Sequence, residues 1–166
     1  GERRFVASAH LTQKMQEVIA RAQLVIGTEE EEFHIAGGCE DTNEALARLR
    51  RLGDAVFVVK RGPLGCTVHA GDAIIEDRGF PVEVYNILGA GDGFAAGFLS
   101  GWLRDAPLEE CARRANACGA LVVSRHGCAP AMPSQEELEL FLSGTHWPRR
   151  LRESAEIPTH DRRLPS

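Results

Sequence analysis

The sequence predicts an α/β fold, a mostly parallel sheet with helices on its faces, on three observations. Ala55-Val56-Phe57-Val58-Val59 is a continuous β-branched and aromatic run, the composition of a strand buried on both faces of a parallel sheet. Leu24-Val25-Ile26-Gly27 is a second short apolar run, and between the two Ala45, Leu46, Leu49 and Leu52 recur at helical spacing. The third is a glycine-rich turn, Asn86-Ile87-Leu88-Gly89-Ala90-Gly91-Asp92-Gly93-Phe94-Ala95-Ala96-Gly97, running straight into an apolar-faced helix. Ligand loops of this fold class lie at the carboxyl ends of its strands.

In chain order, Leu11, Met15, Val18, Ile19 and Ala22 predict a first amphipathic helix over about 11–22. The strand at 24–27 ends in Thr28-Glu29-Glu30-Glu31-Glu32. Four acids there read either as a solvated helix start, favoured by the positive dipole end, or as a strand-end cluster of the kind found at magnesium–nucleotide sites. Asp41 and Glu44 have capping-box spacing, and Gly53 stops the helix that follows. The strand over 55–59 leads into Lys60-Arg61-Gly62-Pro63-Leu64-Gly65, whose two glycines by themselves indicate a turn. Segments 66–70, 73–76 and 80–84 read as a β-meander returning to the glycine turn.

From about Gly91 or Asp92, Phe94, Phe98, Leu99, Trp102 and Leu103 mark a helix with one side on a core. Pro107 opens another, with Leu108, Cys111, Ala112, Ala115, Cys118 and Val122 on one face and Asn116 as a polar interruption that reads as surface. Ser134 and Glu137 form a capping box for a last helix carrying Leu138, Phe141 and Leu142, and Gly144 ends it. One domain over 1–145 and an arginine-rich tail over 146–166 are expected, the tail solvated and partly ordered.

Composition narrows the function classes. The net charge of −5 weighs against nucleic acid as the main partner. No apolar run approaches the ~20 residues that span a bilayer, and the start Gly1-Glu2-Arg3-Arg4-Phe5 lacks the apolar stretch of a signal peptide, so no membrane partner is expected. The odd count of five cysteines, without a Cys-x-x-Cys pair, predicts reduced thiols of a cytoplasmic protein and no Cys/His metal cage.

The chemistry centres on the glycine turn. At a helix N-terminus the first backbone N–H groups lack intrahelical acceptors and the macrodipole is positive, so Ala90, Gly91 and Asp92 can aim their amides at an anion. Glycine at 89 and 91 removes the Cβ that would keep a phosphate away. The acid of Asp92 serves there either as a cap or as a reacting group; Gly97 one turn on favours close backbone approach to a ligand.

The segment Gly89-Ala90-Gly91-Asp92-Gly93-Phe94-Ala95-Ala96-Gly97 resembles the C-terminal signature of the ribokinase-like (PfkB) carbohydrate kinases, and the resemblance covers about residues 10–145. It implies that the turn is an anion hole for the transferred phosphoryl group and that Asp92 is the base taking the proton of a sugar hydroxyl. It further implies ATP contacts from Lys60, Gly62 and Gly65, matching a Lys/Thr-x-Gly-x-x-Gly loop, and an adenine-side contact from Asn116. Glu31 matches the acid of an Asn-x-x-Glu motif acting on Mg²⁺, with Thr28 in the place of the asparagine. A monovalent cation is implied beside the anion hole, held by carbonyls of Ser124-Arg125-His126-Gly127-Cys128-Ala129-Pro130 and of the start of the signature. The usual acid six positions before the base is Asn86 here, one negative ligand fewer. Residues 60–66 and 82–88 look most like the 5-dehydro-2-deoxygluconokinases of inositol catabolism within that family.

Ribokinase-like enzymes are considerably longer. The expectation is therefore the C-terminal portion of the fold, with lid, sugar motif and first strands absent and a sheet edge open to a second chain in a homo-oligomer. Two other classes fit less of the chain. A nucleotide-binding module would bind ATP without consuming it, and a dinucleotide-binding oxidoreductase half would need a third glycine where Phe94 stands.

Overall fold

The computed structural model describes residues 8–144; the arginine-rich tail lies outside the described residues. The first helix, α1, is Ala9–Ile19, entered earlier than its apolar spacing suggests because Ser8 caps it, its side chain accepting from Leu11 N at 3.2 Å. Strand β1 is Leu24–Thr28. The acidic run forms a π-helical turn, Glu29–Phe33, continued by the short helix α2, His34–Gly37. Helix α3, Thr42–Leu49, starts at Asp41, whose carboxylate accepts from Glu44 N at 2.7 Å, and gives out four residues before Gly53.

Strand β2 is Val56–Lys60 and pairs in parallel with β1, Leu24 opposite Val56 and Thr28 opposite Lys60. Strands β3, Cys66–Ala70, and β4, Ala73–Asp77, add antiparallel neighbours, so the sheet runs β1-β2-β3-β4. It is mixed: β1 and β2 are joined by a helical crossover, which permits parallel pairing, whereas β2–β3 and β3–β4 have connections too short for anything but antiparallel pairs. The predicted third strand of the meander does not form. Residues 80–84 are without regular structure, and Phe80 packs edge-on against Phe141 (centroids 5.0 Å apart) under the Arg113 guanidinium.

Side chains of β2 alternate between two cores. Phe57 and Val59 pack with Phe33, Leu46 and Leu49 on one face, while Val58 packs with Val68, Phe94, Phe98 and Cys111 on the other. The second core is roofed by α4, Ala90–Trp102, and α5, Leu108–Val123. Helix α6, Gln135–Leu142, carries the expected capping box at Ser134 and packs Leu138 against Cys118 and Leu121. Each large side chain fully buried in this way contributes about 1.5–3 kcal/mol.

Candidate active site

The glycine turn sits where α4 begins. Gly89 has φ +83°, a left-handed conformation, and a Cβ on it would meet Cys128 Sγ at 2.6 Å, so glycine is required there twice over. The Ala90 amide already donates to Ile87 O at 3.2 Å, and Gly93 N to Gly89 O at 2.9 Å. Among the described residues, the amides of Gly91 and Asp92 have no backbone acceptor outside the helix, which narrows the expected three-amide cradle to these two. Asp92 lies in the first turn, exposed, and the cap position of α4 is Gly89, which has no side chain to cap it. Gly97 has a different job from the one its position suggested. A Cβ there would stand 2.6 Å from Arg114 O, and Gly93, Gly97 and Gly101 form the stripe by which α4 closes on α5 rather than on a ligand.

Lys60 reaches this turn from the end of β2, its Nζ 3.4 Å from the position of a Cβ on Gly91. The register that sets Thr28 opposite Lys60 brings the acidic turn to the same end of the sheet. Of the four glutamates, Glu32 folds back so that its Oε2 accepts from both Thr28 N (2.6 Å) and Thr28 Oγ1 (2.8 Å). Gly27 makes this possible, since a Cβ there would meet Glu32 Cβ at 2.6 Å. Glu31 donates its amide to Thr28 Oγ1 at 3.3 Å and leaves its side chain exposed. Among the described residues no group of three or more His, Cys, Asp or Glu could hold a metal. A single outward carboxylate fits Mg²⁺ that is otherwise bound by phosphates and water, and not a cage made of protein.

The loop after β2 is a short 3₁₀ turn, Gly62–Leu64. Gly62 has φ +56° with open space around it, whereas a Cβ on Gly65 would overlap Asp77 O. Gly62 is thus free to face a ligand, while Gly65 is required by close approach of the β4 end. Asn116 is 7% exposed and not a surface residue, its amide donating to Asp77 Oδ1 at 2.6 Å and Asp77 O at 3.3 Å. It therefore holds the end of β4 under the loop. Cys66 lies against it with its thiol pushed up to about 11 by burial and by the Asp77 carboxylate. On the other side of the turn, Asn86 Nδ2 donates to Gly127 O at 2.9 Å while its Oδ1 accepts from Leu88 N at 3.0 Å.

Comparison with known proteins decides what this arrangement belongs to. A model of the pfkB family of carbohydrate kinases matches residues 3–135, most of the chain. The chain belongs to the pfkB family. It is 41% identical over 90 residues to the ATP-dependent ribose-1-phosphate kinase of Halopiger xanaduensis (54% of this chain, 30% of that one). It is 34% identical over 126 residues to the 5-dehydro-2-deoxygluconokinase of Photobacterium profundum (73% of this chain, 38% of that one). A ribokinase II from E. coli, solved with ATP and Mg²⁺, superposes with a TM-score of 0.73 at 24% identity, covering 80% of this chain and 42% of that one, which shows the ribokinase-like fold. The chain spans 30–38% of the length of these two curated relatives.

Within a pfkB kinase, the loop beside the turn is where the resemblance puts a monovalent cation. The donor set here fits one poorly: Asn86 brings no negative charge, and its Nδ2–H takes one lone pair of the Gly127 carbonyl in that loop. The sequence carries no signal for the Asn86–Gly127 bond, whose partners are 41 residues apart, nor for the Asp77–Asn116 pair, and only a local one for Thr28–Glu32. A threonine at a strand end with an acid four residues on is the only one of the three visible as a local pattern.

Proposed function

We propose that this pfkB chain forms the nucleotide- and phosphoryl-binding part of an ATP-dependent kinase acting on a hydroxyl of a sugar or sugar acid. The observation that carries the reading is the convergence of Lys60 on Gly91, beside two backbone amides that no outside backbone acceptor takes, at the positive end of α4. In this scheme Lys60 and Gly62 lie along the ATP phosphates, Gly65 and Asn116 keep their loop in place, and the Gly91 and Asp92 amides receive the negative charge gathering on the γ-phosphoryl oxygens. Asp92 takes the proton of the attacking hydroxyl as the new O–P bond forms and the bond to the ADP oxygen breaks. Mg²⁺, when bound beside Glu31, neutralises phosphate charge. No step needs a monovalent cation.

The likeness of 60–66 and 82–88 to 5-dehydro-2-deoxygluconokinases favours 5-dehydro-2-deoxygluconate as substrate. Free thiols at all five cysteines suit a cytoplasmic location. The test is calorimetric titration of the 166-residue chain with ATP and Mg²⁺, followed by ADP detection across a panel of sugars, ribosides and sugar acids. Binding weakened about tenfold in Lys60→Ala is expected, because one charge-assisted contact is lost. Positioning of the hydroxyl contributes up to ~7–11 kcal/mol, and since the chain spans 38% of the gluconokinase relative, turnover is assigned to the whole protein and not to these residues alone. Absence of ATP binding would overturn the reading, and binding without turnover in the whole protein would favour a nucleotide-binding module.

A further inference from the structure

A contact between the glycine turn and the 124–130 loop is made by one uncharged side chain, that of Asn86. Asn86 is both donor and acceptor: Nδ2 donates to Gly127 O at 2.9 Å and Oδ1 accepts from Leu88 N at 3.0 Å, one residue before Gly89. Its own amide and that of Tyr85 donate to Val123 O at 3.2 and 2.8 Å, so the backbone at 85–86 is tied to the end of α5 as well. Gly127, at φ +95°, turns the loop, and Cys128 Sγ and Met132 Cε close over Gly89, where a Cβ would sit 2.6 and 3.3 Å from them. The Tyr85 ring stands edge-on to His126 with centroids 5.4 Å apart.

We propose that Asn86 is a positioning residue, whose neutral amide clamps the 124–130 loop onto the Gly89 turn in the place of a bound cation. The reason is donor chemistry. A carboxylate of the same length accepts from Leu88 N but has no proton for Gly127 O, so two oxygens carrying negative charge would face one another at hydrogen-bond distance. A cation between them would relieve that contact; an amide N–H removes the need for one. The inference rests on the phosphoryl-site reading only for what the clamp positions.

Thermal unfolding of the 166-residue chain and of Asn86→Asp, in potassium chloride and in tetramethylammonium chloride at matched ionic strength, tests it. The parent chain should melt at the same temperature in both salts. Asn86→Asp should melt ~2–6 °C lower in tetramethylammonium and recover in potassium. A potassium-specific rise in the parent chain would overturn the proposal, as would an Asn86→Asp chain that matches the parent in both salts or whose loss potassium does not restore. Should Asn86→Asp fail to fold, Asn86→Ser supplies the second variant: equal loss in both salts is expected, and a potassium-specific gain would count against the clamp. Because stability and not turnover is read, a negative result stays separate from failure of ATP binding.

Discussion

Asp92 is the residue on which the proposed reading turns, and substitution separates a base from a cap. It sits three positions into α4 with Gly89 at the cap, and no side-chain cap bond forms. Asp92→Asn should therefore leave the melting temperature and ATP affinity nearly unchanged while kcat of the whole kinase falls by about 10²–10⁴-fold, since an amide cannot take the hydroxyl proton. Steady-state kinetics with calorimetry on the same variant check this. If the carboxylate were only a cap, its removal would instead cost ~0.5–2 kcal/mol of stability and spare the rate.

The α4–α5 pair and the hairpin strands hold the turn and the nucleotide loop in place. Gly93, Gly97 and Gly101 let α4 approach α5 to backbone contact, so Gly97→Ala should destabilise the fold by ~1–3 kcal/mol through overpacking, measurable in urea. On β3, His69 is held below its ordinary pKa by burial, with Arg50 and Arg61 adding to the effect. The folded state thus resists protonation more than the unfolded chain does. Stability should be fully present above about pH 6.5, the ordinary value, and fall as pH drops through the folded pKa; His69→Gln should flatten that part of the profile in pH-resolved melts.

For the whole molecule, the exposed edge is the feature with consequences. Among the described residues β1 pairs on one side only, with β2, and near the glycine turn Val84, Tyr85, Ile87 and Leu88 are more than half exposed. A parallel edge strand is a template for another chain, and exposed apolar residues are commonly covered by one. The 166-residue chain is therefore expected to sediment as a dimer or larger species, and a clean monomer at high concentration would count against an open edge. Among the described residues no helix is long and apolar enough to cross a membrane.

Patterns that lie within a few residues of one another were legible in the sequence. The β2 run, the Asp41 cap and the Ser134 capping box as helix starts, the glycine turn opening α4 and the buried face of α5 each follow from local spacing, because backbone propensity and one-sided burial act over a turn or two of chain. The absence of a strand at 80–84 did not, since Phe80 is partly buried by Phe141 and Arg113 and not by a sheet partner, while Val84 stays exposed. Nor did the division of labour among glycines: Gly89, Gly91 and Gly97 look alike in sequence, yet the first needs a left-handed turn against Cys128, the second borders the Lys60 ammonium at ordinary contact distance, and the third makes room for a helix. Those roles depend on which atoms arrive from residues far along the chain, as do the bonds of Asn116 to Asp77 and of Asn86 to Gly127. The sequence alone determined the chemistry available at the turn. Only tertiary packing decided which amides, side chains and carbonyls were left over to perform it.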